Sequence, residues 1–274
     1  MTRALFNVFF LTIWGVSGYA LMYHLYKKIP LFFIVLLGVI SFFITMLWLL
    51  IDFYYFHWYD NWAWLLEIRS LRGIEATIVF IGIFCAILQQ NINRKMQFKD
   101  SFSRHNGIAL LFVMVIVPYI KPIFYTVEPN WRVHWVQGIC VQTTPYTCGP
   151  ASTATILNYY GIRRTEHEIS HATYFTRHGT EPWYLARYIR RCGLEAHFVS
   201  VPSEPADPPV PCIVGVRSGG KKGKGHFITL LGKTPDTFFV GDPAYGPAEI
   251  RKRELFDTYY FVGFVIHVTQ KKNQ

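Results

Sequence analysis

Apolar residues fill the first half of the chain in long unbroken stretches, whereas in the second half they fall into short runs separated by Gly, Pro and Asp. Four of the long stretches, 4–23, 30–51, 76–90 and 107–125, approach or match the roughly 20 helical residues that cross a hydrocarbon core about 30 Å thick. The third reaches that length if its helix starts near Gly73. No Asp, Glu, Lys or Arg interrupts the four until Lys121, and ion pathways and proton relays are built from such residues, so the pattern predicts anchoring helices rather than a transporter or pump. Thr12, Ser17, Ser41 and Thr45 read as helix-packing residues or as hydroxyls bonded to their own backbone. Between the second and third stretches, 52–75 is crowded with Tyr, Trp and Phe plus scattered charges, the composition of an amphipathic element lying in the headgroup region.

From Trp131 the periodicity changes. A helix is predicted from Cys148 to Tyr160, with Pro150 in its first turn and Gly161 as its stop. A second short helix runs over 165–175, and a third, capped by Thr180 and carrying Leu185, Tyr188 and Ile189, ends at Gly193. Strands follow at 195–201, 212–216, 226–231, 237–241 and 260–268, each rich in β-branched and aromatic residues between turn signals. Helices first and strands later predict an α+β domain. The division is therefore a multi-pass α-helical membrane domain over 1–127, followed by a water-soluble α+β domain over 131–270, a usual size for one core.

Composition sharpens this picture. Of 274 residues, 51% are apolar and 18% aromatic, only 16% are charged, and the formal net charge is +10. No basic run interleaves with aromatics in a nucleic-acid-binding signature, so the partner implied is a lipid bilayer and not nucleic acid. Lys27 and Lys28 follow the first span, and Arg94, Lys95, Lys99 and Arg104 follow the third, which places both loops in the cytoplasm by the positive-inside rule. Arg3, Arg69 and Arg72 favour the opposite orientation. On the larger count the amino terminus and the C-terminal domain face outward, with the first span kept as a signal anchor. The five cysteines, 85, 140, 148, 192 and 212, form no C-x-x-C pair and indicate neither a zinc ribbon nor a thioredoxin-type site. Cys140, Cys192 and Cys212 read as core thiols, and an oxidising compartment would permit one disulfide among them.

The chemistry gathers around Cys148, which the pattern places at the mouth of a helix, where unpaired backbone N–H groups and the macrodipole favour thiolate over thiol. An activated nucleophile also needs a base. His226 opens a strand after a glycine-rich turn, and Asp242 ends the following strand, so antiparallel pairing would let the carboxylate orient the imidazole. Gln142, six residues before the thiol, offers an amide N–H that, with the Cys148 N–H, could hold a tetrahedral oxyanion. Taken singly, His226 is a strand-end histidine and Asp242 a turn residue before Pro243; each gains meaning from the other.

With Gln142 six residues before Cys148-Gly149, Ala151, Tyr159-Tyr160-Gly161, Gly225-His226-Phe227 and Gly241-Asp242-Pro243 followed by Gly246, the chain resembles the bacteriocin-processing, double-glycine-leader cysteine peptidases of the papain-like class. The resemblance covers about 138–267. It implies Cys148 as nucleophile, His226 as general base and acid, Asp242 as orienting group and Gln142 as oxyanion residue, acting on a peptide or protein substrate without a cofactor or metal. It departs from the exporter-borne members at Thr147, where they carry an acidic residue, and in having no G-x-x-x-x-G-K-[ST] motif. No ATP is implied, and the double-glycine preference is not carried over. The sequence thus predicts a membrane-anchored, stand-alone cysteine peptidase.

Three alternatives stand beside this reading. A papain-like peptidyl or acyl transferase would use the same four residues. A silent membrane-anchored peptide-binding module would keep the fold without the chemistry. A zinc metalloprotease would use His167-Glu168-Ile169-Ser170-His171, which fits H-E-x-x-H. Against zinc hydrolysis, Thr165 and Glu168 have capping-box spacing, which occupies the glutamate at a helix start, and Ile169, Ala172 and Phe175 turn the two histidines toward solvent. Lys221, Lys222 and Lys224 read as a solvated hairpin tip, with an active-site flap or a lipid contact as the alternative.

Overall fold

The computed structural model describes residues 2–52, 63–96, 125, 127–201, 207–219 and 223–271. The first half forms α1 (Thr2–Leu25), α2 (Leu31–Asp52), α3 (Ala63–Ser70) and α4 (Ile78–Met96), the last entered through a 3-10 turn at Ile74–Thr77. The chain divides into two compact units, and α3 belongs with the C-terminal one. The stretch 107–124 and the basic residues Lys99, Arg104 and Lys121 lie outside the described residues.

In the N-terminal unit, Val8–Leu25, Leu31–Trp48 and Ile74–Ile92 are three helical segments long and apolar enough to cross a membrane. The third span gains its length from the 3-10 turn that follows Gly73. Small residues let α1 and α4 approach: a Cβ on Gly82 would collide with the Gly15 carbonyl, and one on Gly18 with the carbonyl of Val79. Leu11, Tyr19, Met22, Ile78, Ile81 and Cys85 pack in the core beside this crossing. Phe9, Leu31, Phe32, Phe33, Val35 and Phe43 are exposed, an outward apolar face of the kind that lipid covers. Thr12 and Thr45 donate to carbonyls one turn back, Val8 O and Ser41 O, both at 2.7 Å, as their hydroxyl chemistry predicts.

The C-terminal unit continues with a short hairpin, β1 (Trp135–Val136) and β2 (Ile139–Cys140), and then α5 (Cys148–Tyr159), α6 (Glu166–Ala172) and α7 (Pro182–Arg191). The strands β3 (Leu194–Ser200), β4 (Cys212–Ser218), β5 (Lys224–Lys233), β6 (Thr237–Asp242) and β7 (Gly246–Arg251) follow, then a one-turn α8 (Glu254–Asp257) and β8 (Phe261–Gln270). β3 to β8 form an antiparallel sheet in the order β3-β8-β4-β5-β6-β7. The core around Val214, Val216, Ile228, Leu230, Phe238, Val240 and Val265 sits on this sheet, and α5 packs across β5.

Three details differ from the sequence expectations. The cap of α7 is Glu181 rather than Thr180, because Pro182 takes the first helical position with its fixed φ and missing N–H. β7 was not predicted: its Gly-Pro-Ala-Glu-Ile-Arg sequence is mostly exposed and lacks an apolar alternation, as an edge strand permits. The third difference concerns 52–75. Residues 63–70 do not lie free as an interfacial element but pack as α3 on α7 and β3, with Ala63, Leu65, Leu66, Arg69 and Ser70 buried. Glu67 accepts from Arg190 Nη2 at 2.8 Å and from the Phe198 N–H at 2.9 Å. At the other end, Arg187 Nη2 donates to Arg69 O at 2.6 Å and Leu71 O at 3.1 Å, and Arg190 Nη1 donates to Ser70 O at 3.1 Å. Cations thus satisfy the carbonyls that a helix C-terminus leaves unpaired.

Candidate active site

Cys148 is the first residue of α5, where helix N–H groups have no intrahelical acceptor. Pro150, two residues on, fits the first turn because its missing N–H costs no hydrogen bond there. The helix is buried from Cys148 to Leu157, so the thiol is set into the domain rather than displayed on a loop. Gly149 makes the close approach possible: a Cβ there would meet Leu185 Cδ1 at 3.1 Å and Phe227 Cδ2 at 3.4 Å. One turn further, Ser152 Oγ donates to the Phe227 carbonyl at 3.0 Å. That bond fixes the helix carrying Cys148 against the strand carrying His226, one residue from the imidazole.

His226 lies near the start of β5, and its Nε2 is 2.9 Å from Asp242 Oδ1, with the two side chains 10% and 1% exposed. The register places Thr229 opposite Gly241, which brings the end of β6 beside the start of β5. Gly241 is required there, since a Cβ would collide with Thr229 Oγ1 and crowd Ile139. Asp242 Oδ1 also accepts from Ala244 N at 2.8 Å, so the turn holds the carboxylate in place. The Cys148 thiol is the second group, after Asp242, whose proximity favours charge on the imidazole. Burial is the largest single influence on His226 and disfavours its charge, but Asp242 and Cys148 together outweigh it and raise the imidazole to about 9. His226 and Asp242 are thus a hydrogen-bonded pair set into the domain, with the buried Cys148 thiol near enough to act on the imidazole.

Gln142 stands six residues before the thiol. Its N–H donates to the Pro243 carbonyl at 2.9 Å, which ties it to the turn after Asp242. Its side-chain Oε1 is buried without a hydrogen-bond partner among the described residues. The segment is anchored from the other side by Glu166, whose carboxylate accepts from Thr143 N at 2.8 Å and Thr143 Oγ1 at 2.6 Å. Thr147 is buried, and its Oγ1 accepts from Thr144 N at 3.0 Å, closing the loop ahead of the nucleophile. Tyr259 sits beside Asp242; burial first and that carboxylate second push its phenol up to about 12.

Sequence reasoning missed Ser152, Glu166 and Tyr259 as supporting groups. Ser152 had a usable signal, because a polar residue four after the nucleophile shares its helix face. Glu166 and Tyr259 had none, since their partners are distant in sequence.

The remaining candidates sit elsewhere. His167 and His171 lie on an exposed face of α6. Glu168 closes the capping box with Thr165, accepting from Thr165 N at 3.0 Å while Thr165 Oγ1 accepts from Glu168 N at 3.2 Å. The carboxylate that a zinc hydrolase would use as its base is thus occupied at a helix start. Cys85, Cys140, Cys148, Cys192 and Cys212 are all free thiols. Burial pushes Cys140 up to about 12 and raises Cys212 as well, as befits core thiols.

Comparison with known proteins identifies the family of the C-terminal half. The Peptidase C39 family matches residues 137–273. An uncharacterized protein of Methanothermobacter thermautotrophicus is 31% identical over 130 residues, covering 47% of this chain and 87% of that protein. One from Methanothermobacter marburgensis is 29% identical over 132 residues, covering 48% and 88%. Among solved structures, the peptidase domain of Streptococcus ComA, a bi-functional ABC transporter of a quorum sensing pathway, is 20% identical with a TM-score of 0.42, covering 48% of this chain and 96% of that one. A double glycine motif protease from an AMS/PCAT transporter, in complex with its leader peptide, is 21% identical with a TM-score of 0.41, covering 54% and 98%. With half its length matched from 137 to 273, this chain belongs to the Peptidase C39 family and carries a cysteine peptidase domain of the papain-like class.

Proposed function

We propose that the protein is a membrane-anchored peptidase that cleaves peptide bonds with Cys148 as nucleophile, His226 as general base and acid, Asp242 as orienting group and Gln142 as oxyanion donor. The observation that carries this reading is the buried His226–Asp242 pair, 2.9 Å between the imidazole Nε2 and the carboxylate, against which the Ser152–Phe227 bond holds the helix that Cys148 begins. The thiolate attacks the carbonyl carbon, and the negative oxygen is received by the Cys148 N–H and the Gln142 side-chain amide. The C–N bond then breaks as the His226 imidazolium gives its proton to the leaving amine, which leaves a thioester. A water, deprotonated by His226, attacks the thioester and releases the acid and the free thiol. No step uses a cofactor or ATP.

Anchoring follows from the N-terminal helices, and the fold bears on topology. α3, between α2 and α4, packs on the peptidase sheet, so the loop bearing α3 and the peptidase domain lie on the same side of the membrane. An even number of crossings must then separate residues 71 and 125. The span ending in α4 is one, and the apolar stretch 107–125 is the other candidate in the sequence. With Lys27, Lys28 and Arg94 on the cytoplasmic side, the peptidase domain faces outward. The membrane domain is accordingly 1–127 less α3, and the peptidase domain 131–270 plus α3.

The test is peptide turnover by the detergent-solubilised full chain. Cleavage of a leader-type peptide library is expected in the parent and lost in Cys148→Ala. Activity that survives Cys148→Ala would remove the proposal. If an added amine is incorporated in place of water at every turnover, the same site is a transferase.

A further inference from the structure

Among the described residues, one cluster of side chains able to ligate a metal lies apart from the catalytic residues. His167 and His171 project from successive turns of α6 with ring centroids 4.5 Å apart. Glu128, on the segment entering the domain, brings Oε2 to 3.7 Å from His171 Nε2, and the two side chains are 67% and 51% exposed. One donor atom from each of the three lies within 4.8 Å of the others. Trp131 lies against both rings, with centroids 4.9 Å from His167 and 6.3 Å from His171. The pair is thus backed on one side and open to solvent on the other.

We propose that Glu128, His167 and His171 form a zinc site that fastens the entry segment of the peptidase domain to α6. Two imidazole nitrogens and a carboxylate oxygen are a donor set that suits Zn²⁺, with water as the fourth ligand. Bonds of about 2.0–2.2 Å in a tetrahedron set donors about 3.4 Å apart. All three side chains are exposed, so rotation about their χ angles is the movement open to them for closing from 4.8 Å to that spacing. The site differs from the H-E-x-x-H hydrolase arrangement in its third member: Glu168 is held in the capping box, and Glu128 replaces it as the available carboxylate. The role is therefore a clasp and not hydrolysis. Glu166 at the start of α6 holds Thr143, and Arg132 N donates to Thr143 Oγ1 at 3.4 Å. Zinc would lock together the entry segment, α6 and the loop that carries Gln142.

The test uses the full chain without a polyhistidine tag, in a Cys148→Ala background so that the catalytic thiol cannot bind metal. Zn²⁺ is titrated in competition with a chromophoric chelator. One equivalent is expected, weakened at least about a hundredfold in His167→Ala and His171→Ala, about tenfold in Glu128→Gln, and unchanged in Glu168→Gln. In the parent, zinc is expected to slow trypsin cleavage after Arg132, and in His171→Ala to leave it unchanged. Absence of saturable binding, binding indifferent to both histidine substitutions, or unchanged affinity in Glu128→Gln would each overturn the proposal. Should a histidine variant fail to fold, the Glu128→Gln result decides.

Discussion

His226 is pulled in two directions, since burial opposes its charge while a carboxylate and a thiol on either side favour it, and the partners win, raising it from 6.5 to about 9. A group whose pKa rises on folding contributes stability that is fully present below its unfolded value and disappears as pH climbs through the folded one. Thermal unfolding of the full chain is therefore expected to show a stabilising contribution that is complete below about 6.5 and lost through about 9, and Asp242→Asn should reduce it. Peptide turnover should fall over the same upper limb, because the imidazolium that protonates the leaving amine is then titrated away. A stability profile flat from 6 to 10 would mean that the pair does not exist in solution. At this scale the sequence was informative where role and context coincide. Cys148, His226 and Asp242 each sit at an element boundary with glycine or proline beside them. Ser152 and Glu166 act only through tertiary partners, Phe227 and Thr143, which no local pattern announces.

At the scale of elements, α5 and the β5–β6 pair were legible because their punctuation is strong: Pro150 in a first turn, Gly161 after a last one, Gly241 and Pro243 around Asp242. Legibility failed where an amphipathic face admits more than one cover. The composition of 52–75 fits a lipid surface, but Glu67 and Arg69 have protein partners, and the apolar face of α3 meets α7 and β3 instead. The contact is specific, since Glu67 uses both carboxylate oxygens, one on Arg190 and one on the backbone of edge strand β3. Replacing Glu67 with Ala leaves the Phe198 N–H and the Arg190 guanidinium without these acceptors and should cost about 1–3 kcal/mol. Limited proteolysis should then cut within 63–71 sooner than in the parent, and an unchanged cleavage rate would show that α3 is held by its apolar residues alone.

For the whole molecule, the same contact turns a local packing fact into a topological one. With α2 and α4 crossing the membrane as proposed, a helix between them that packs on the C-terminal sheet would require both to share a compartment, whichever side that is. In vesicles of known orientation, a cysteine-reactive impermeant tag placed at Trp64, the exposed residue of α3, and one placed on the peptidase domain should be accessible from the same side, and opposite accessibility would refute the four-crossing arrangement. The expected side is the exterior, from the basic residues after α1 and in α4. The free thiols Cys140, Cys192 and Cys212 show that the described domain closes without a disulfide.

The most direct measurement is mass-spectrometric mapping of the adduct formed when the folded full chain meets a peptide bearing a thiol-reactive carbonyl analogue. One adduct is expected, on Cys148, absent in Cys148→Ala and formed at least about tenfold more slowly in His226→Ala. Equal adduct yield in the parent and in Cys148→Ala would contradict Cys148 as the nucleophile.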